Sequence, residues 1–292
     1  GNTGMTDFTY TGLQQTMSDA TVGKFIGTTD GYPLNFRVAN VKSGRIDNNV
    51  NIGQTSFGYG AGQNAWLENN SGNGYRGTKN TAIGYYANYN TNAGKENTSL
   101  GYYAMYNNNA SSGSVALGYQ SMMNYSNNYN GGGPFYVYNT AVGYQSLYGS
   151  TTLSSNNGTG NTALGYFSMK LNSSGYNNVS LGYNAMQTNS TGFHNVASGV
   201  NAMNNNTSGY YNVASGYNSM YYNTAGYDNV AIGFQSMMVN ATSLYQNTVI
   251  GSRANVGSST VNASVLGYGA TNSTSNSVLL GNGSVTQVNT SG

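Results

Sequence analysis

The stretch Gly175-Tyr-Asn-Asn-Val-Ser-Leu-Gly-Tyr-Asn-Ala-Met-Gln-Thr-Asn-Ser-Thr191 is followed by three near-copies that start at Gly192, Gly209 and Gly226. Aligned, the copies form columns. Asn178, Asn195, Asn212 and Asn229 share one, and Val179, Val196, Val213 and Val230 the next. Met186, Met203, Met220 and Met237 form another, and Ala185, Ala202, Ser219 and Ser236 keep a small residue throughout. Tyr176, Phe193, Tyr210 and Tyr227 make an aromatic column. A second one, Tyr183, Tyr217 and Phe234, is interrupted by Val200. The glycine at the centre of the unit recurs at Gly165, Gly182, Gly199, Gly216 and Gly233, and the same 17-residue step links Gly84, Gly101 and Gly118. Self-similarity at a fixed period is the signature of a stacked repeat architecture.

The unit is too short for helical repeats, which run to about 33 residues or more. It is also rich in Gly, Asn, Thr and Tyr, which disfavour helix interiors. The alternation of Val179, Leu181 and Tyr183 with Ser180 and Gly182 has the period of a strand. The expectation is therefore an all-β fold: a parallel β-solenoid, or β-roll, in which each coil holds two short strands and two turns. Twelve anchor glycines from Gly84 to Gly281 at about 4.8 Å per coil give a rod of roughly 55–60 Å. The Asn column should form an amide ladder along the rod. The Gly column should mark a turn or a close approach of backbones. So small a coil encloses little, and the Met and Tyr columns need covering, which favours association of several chains along their length.

Composition narrows the function classes. Only 5% of the 292 residues are charged and the net charge is +2, so the electrostatic footprint of a nucleic-acid binder is missing. The chain has no Cys, which removes disulfides and thiolate metal sites. No run of eighteen apolar residues occurs, so no helical membrane insertion is expected. Neither an Asp-rich loop nor a His cluster points to a metal, and no cofactor is expected. Eight of the sixteen charges fall in residues 1–50: Asp7, Asp19, Lys24, Asp30, Arg37, Lys42, Arg45 and Asp47. The expected organisation is a non-repeat β-rich connector (1–50), a repeat domain (51–285) and an exit segment (286–292) toward a further C-terminal region.

Catalysis is not expected. His194, the single histidine, shares a variable column with Asn177, Tyr211 and Asp228. The seven carboxylates are scattered, and Glu68 and Glu96 lack the partner that glycoside hydrolysis needs. The breaks in the period are more informative. Gly58 to Gly84, Gly118 to Gly143 and Gly143 to Gly165 exceed one coil, which places insertions near 63–79, 124–138 and 149–160. Solenoid insertions bulge from one face, often the binding face. The first carries Trp66, Tyr75 and Arg76, and the second Phe135, Tyr136 and Tyr138. Aromatic, amide and guanidinium groups together suit saccharide recognition, so these six are the candidate binding residues. Alternatively, Trp66 and Phe135 plug gaps beneath their loops.

The phrases Asn80-Thr-Ala-Ile-Gly-Tyr85, Asn139-Thr-Ala-Val-Gly-Tyr144 and Asn161-Thr-Ala-Leu-Gly-Tyr166 resemble the head repeat of trimeric autotransporter adhesins and the Tyr-rich repeat of phage tail-fibre-like proteins. The resemblance covers roughly residues 50–285. The flanks, Phe25 to Asn40 followed by Lys42 to Asp47, and Asn276 to Val288, are similar to those around the repeat in tail-fibre proteins. There an endosialidase-type intramolecular chaperone often follows. The resemblance implies a left-handed, intertwined homotrimer on a virion tail fibre or another extracellular or cell surface. It implies host attachment through a surface glycan as a structural, receptor-binding protein. Other readings are a bacterial surface adhesin or filament subunit and, further off, an ice-binding solenoid or a polysaccharide depolymerase. The Thr column that ice binding would need, Thr81, Thr98, Thr140 and Thr162, gives way to Val at 179, 196, 213 and 230.

Overall fold

The computed structural model describes residues 32–47, 49, 51–63, 77–125, 135–150, 156–241, 244–285 and 287. Among them there is no helix, and the chain winds as a parallel β-solenoid of about 11 turns with coils of about 17 residues. One 15-stranded sheet runs the length of the rod. It opens with an antiparallel hairpin, β1 (Leu34–Val38) and β2 (Val41–Ile46), whose second strand pairs antiparallel with β3 (Thr55–Phe57). From β3 onward every pairing in the sheet is parallel, and Thr162–Leu164 lies in register between Thr140–Val142 and Val179–Leu181. The hairpin thus closes the N-terminal end, and its Arg45 guanidinium grips the buried Asp47 carboxylate at 2.6 Å.

Each coil carries one three-residue strand of this sheet rather than the two strands expected. The second extended run shortens to isolated bridges, such as Tyr210 with Tyr227, or to two-residue pairs such as Ser111–Ser112 with Phe135–Tyr136. The cause is backbone geometry. Three non-glycine residues of the repeat adopt positive φ in each regular coil: His194 (54°), Asn201 (54°) and Met203 (50°) in one, Tyr211, Asn218 and Met220 in the next. Left-handed residues bend the chain and cannot extend a strand. Coil-to-coil hydrogen bonding continues through the bends nonetheless, as Asn201 N donates to Tyr183 O and Met203 N to Ser219 O. The anchor glycine is held from two sides. Gly182 has φ +136°, and a Cβ there would sit 2.5 Å from Gly199 O of the next coil.

Strand alternation is as expected, but its polarity is opposite to that of an ordinary sheet. The middle residue, Ala163, Ser180, Ala197, Ala214 or Ala231, is fully buried, while the flanking Thr or Val and Leu or Ile face outward. The methionines, for which covering by other chains was expected, fill the interior instead: Met105, Met122, Met169, Met186, Met203 and Met220 are all inaccessible to solvent. A coil this thin leaves room on the strand side only for a small residue, Ala or Ser in most coils and Val249 and Val265 near the C-terminal end, and the flexible thioether adapts to the rest. Between these layers run amide ladders. Asn178, Asn195, Asn212 and Asn229 each donate Nδ2 to the preceding Oδ1 at 3.0–3.1 Å. A parallel ladder joins Asn172, Asn189, Asn206 and Asn223.

Candidate functional site

The outward-facing columns make a continuous surface. On the sheet, Ile83, Leu100, Leu164, Ile232, Ile250, Leu266 and Leu280 are 36–51% exposed. Next to them, beyond the anchor glycines, stand the rings of Tyr59, Tyr85, Tyr102, Tyr119, Tyr144, Tyr166 and Tyr183. These stack on one another with centroids 4.8–5.4 Å apart and planes within 14° of parallel. Tyr176, Phe193, Tyr210, Tyr227 and Tyr245 form a second stack on the other side of the strands. The spacing follows from the strand repeat of about 4.8 Å, which brings identical side chains into offset stacking range. Inside a stack each ring face is covered by its neighbours, so a stacked tyrosine offers its edge and hydroxyl to the surroundings, and only a terminal ring offers a face.

Of the six residues singled out in the insertions, Trp66, Tyr75 and Arg76 lie outside the described residues, as does the side chain of Phe135. The backbone of Phe135–Tyr136 forms a short strand paired with Ser111–Ser112. It brings Tyr136 and Tyr138 together: their rings stack at 5.6 Å, with Lys95 Nζ 5.8 Å from the Tyr136 centroid. Val137 between them is buried and pins the pair to the coil. Tyr138 is 66% exposed and adopts φ 49°, and it rests against Gly113, where a Cβ would come 3.0 Å from its ring.

The residue that plugs the interior beside this insertion is Tyr125. It is fully buried, and its hydroxyl accepts from Asn172 Nδ2 at 2.9 Å. It stands at the head of the second amide ladder, against Gly158, where any Cβ would strike the phenol oxygen. Burial pushes its phenol pKa up, against the opposing pull of its hydrogen bonds to Asn172, Asn161 and Gly158. Tyr125 takes the place, seven residues after the anchor glycine, that Asn108, Asn172, Asn189, Asn206 and Asn223 hold in their coils, at the edge of an insertion where the period breaks.

Titratable groups elsewhere are held by structural contacts. The Lys42 ammonium donates to Gly62 O at 3.0 Å, and its pKa is drawn down to about 8, by burial first and by Arg45 second. Glu96 faces Lys79 at 3.9 Å, and Asp228 is exposed. The His194 ring stacks on Tyr211 and meets Tyr176 and Phe193 edge-on. Among the described residues no three His, Cys, Asp or Glu side chains gather as a metal site, and no helix is long and apolar enough to cross a membrane. Compared with protein-family models, with curated proteins and with solved structures, the chain matches none.

Proposed function

We propose that this chain is a segment of an extracellular attachment fibre, of the phage tail-fibre or bacterial surface-fibre kind. In this reading it associates lengthwise as a left-handed homotrimer and holds a cell-surface glycan. The observation that carries the reading is the outward seam of Leu, Ile and stacked Tyr. Thirteen parallel strands at about 4.8 Å extend it to roughly 60 Å; without the two coils where Ser198 and Ser215 interrupt the apolar column it covers, at about 10 Å wide, on the order of 500 Å², within the range of the largest patch a monomer leaves uncovered. Paired copies burying such seams reach the size of a specific interface. The near absence of charge over residues 151–292, where only Lys170, Asp228 and Arg253 are ionic, lowers the cost of desolvating that face. Tyr136 and Tyr138, set off from the seam by an insertion, supply an aromatic surface beside a Lys for the glycan.

Light scattering on the purified chain tests the assembly. The expected mass is three times the 30.7 kDa of one chain, falling to one chain in Leu164→Lys/Leu181→Lys with its circular dichroism kept. A parent protein that stays monomeric at micromolar concentration removes the fibre reading. A glycan array tests the attachment, and no binding to any bacterial-surface or host glycan removes that half.

A further inference from the structure

The first tyrosine stack is broken at Val200. Its column runs without a gap from Tyr59 to Tyr183, holds Val200 in the next coil, and resumes with Tyr217, which stacks on Phe234 at 5.3 Å. Tyr183 and Tyr217 therefore stand two coil steps apart, about 9.6 Å. Subtracting the thickness of one ring leaves space for a single further ring at the spacing the other rungs keep. Tyr183 is accordingly more exposed than the stacked Tyr166 before it, 49% against 39%.

A second break in the same column shows what the chain does with such a gap when it fills it. Ser252 stands between Phe234 and Tyr268, and there the next residue, Arg253, lays its guanidinium over the Phe234 ring at 5.7 Å and donates to the Tyr268 hydroxyl at 3.4 Å. The residue equivalent to Arg253 at the first break is Asn201. It is too short to cross the gap, and its Nδ2 is engaged with Asn218 Oδ1 at 3.1 Å. The Val200 gap stays open.

The surroundings of the open gap are polar in a particular way. In these two coils alone from Thr81 to Leu266 the sheet column beside the stack changes from Leu, Ile or Val to Ser198 and Ser215. Neither hydroxyl makes a hydrogen bond among the described residues, and the same holds for Asn201 Oδ1 and Asn218 Nδ2 beyond their mutual bond. Beside Tyr183, Asn184 Oδ1 is buried with no partner. No charged side chain belongs to the two coils. We infer that the slot between Tyr183 and Tyr217, floored by Val200, is a binding site for one uncharged pyranose ring of a glycan. The two tyrosines stack on the faces of the sugar, and the Ser hydroxyls and Asn amides meet its hydroxyl groups. Two apolar walls with a few convergent donors and acceptors are the arrangement that fixes such a ligand. The inference rests on the proposed attachment function and names a site for it in the regular coils, away from the insertions.

The substitution Val200→Tyr tests it. It restores the residue type that the column uses elsewhere, at a position without positive φ, so the coil keeps its fold and the missing rung is filled from within. A printed array of bacterial-surface and host glycans is probed with the parent and with Val200→Tyr, and the masses of both are measured by light scattering. The expected result is binding by the parent that falls at least tenfold in Val200→Tyr at unchanged mass. Binding that survives Val200→Tyr overturns the slot while leaving the attachment reading standing. Binding by neither protein overturns both. A change of mass in Val200→Tyr means that an aromatic side chain of a second copy occupies the gap, and overturns the sugar as its occupant.

Discussion

Asn195 occupies the middle of the longest amide ladder, and changing it to Asp separates the two halves of its side chain. Its Nδ2 donates to Asn178 Oδ1 at 3.1 Å and to Gly209 O at 2.7 Å, while its Oδ1 accepts from Asn212 N at 3.0 Å and Asn212 Nδ2 at 3.1 Å. In Asn195→Asp the accepting half is unchanged. The donating half becomes an oxygen pointed at two acceptors. Ionised, it is repelled by both in a site sealed from water; protonated, it donates to one of them. Burial and these two oxygens therefore raise the folded carboxyl above its unfolded value of about 3.9. For an acid whose folded pKa is raised, the folded state keeps its proton longer. Stability is undiminished below about pH 3.9 and is lost as pH rises through that value to the folded pKa.

The expected cost relative to the parent is within about 1–2 kcal/mol at pH 3, where one hydrogen bond is lost. At pH 7 it is about 3–5 kcal/mol, where an uncompensated charge is buried. Asn195→Ala supplies the comparison. The Asn212 N–H loses its acceptor, about 1–3 kcal/mol, and three further bonds are lost at about 0.5–1.5 each, because their other members keep a second partner. That totals about 2.5–7.5 kcal/mol with no dependence on pH. Guanidinium unfolding followed by circular dichroism at pH 3, 5 and 7, with the parent measured beside each variant, gives both differences. An Asn195→Asp penalty equal at pH 3 and pH 7, or an Asn195→Ala penalty under about 1 kcal/mol, would refute the ladder as a sealed, fully satisfied network.

Other outcomes follow from single contacts. Gly182→Ala combines a strained φ with a Cβ 2.5 Å from Gly199 O and should cost about 3 kcal/mol or more, whereas Gly283, with nothing within 4 Å, should accept Ala with little change in midpoint. Asp228→Gly relieves an exposed left-handed residue (φ 55°) and should raise stability by about 1 kcal/mol, read as a higher thermal midpoint. Met203→Ala should cost about 2–5 kcal/mol and Met203→Leu under about 1.5, since that buried position needs volume rather than sulfur. The Lys42 amine is drawn down to about 8 in the fold, so from about pH 8 to about 10.4 the unfolded chain binds the proton more tightly. The parent should gain stability relative to Lys42→Met across that window.

The repeat period, the parallel sheet, the Asn178 column and the glycine seam were legible because stacking places equivalent residues in contact, and contact imposes identity. Sidedness was not legible in the same way. Val179 and Leu181 read as core by hydropathy, yet they face outward, because what decides the side is the width of the coil and not the apolarity of the residue. The Ser180 and Ala197 column carried the signal: a position that stays small through the regular copies is the one facing an opposite wall. The three left-handed residues per coil were equally hidden, since His194, Tyr211 and Met203 are not residues that announce positive φ. Only their Asn counterparts in the same columns, Asn177 for His194 and Tyr211 and Asn88 for Met203, hint at it. Tyr125 replaces an Asn of the second ladder, and Tyr138 falls in the variable column of His194, but both flank an insertion, where the period that aligns the columns is lost.

That inversion bears on what the rod does. In a wide solenoid the large apolar side chains are consumed by the interior, and function is confined to loops. Here the interior of the regular coils accepts Ala, Ser, Met and Asn, so their Leu, Ile and Tyr are forced to the outside, where stacking at the coil spacing orders them into columns. A column of this kind is self-satisfied along its length, because each ring covers the next. Its interactions with other molecules are then concentrated at interruptions, where a ring face is uncovered. Of the two interruptions within the Tyr59–Tyr268 column, one is closed by Arg253 from the chain itself. The other, at Val200, is flanked by Ser198 and Ser215 in place of the apolar column. A seam between copies needs apolar continuity and no such change, whereas a bound polyhydroxylated ring needs both the missing rung and the hydroxyls beside it. The coincidence of the two substitutions in the same two coils is what separates a site from a lapse in the repeat.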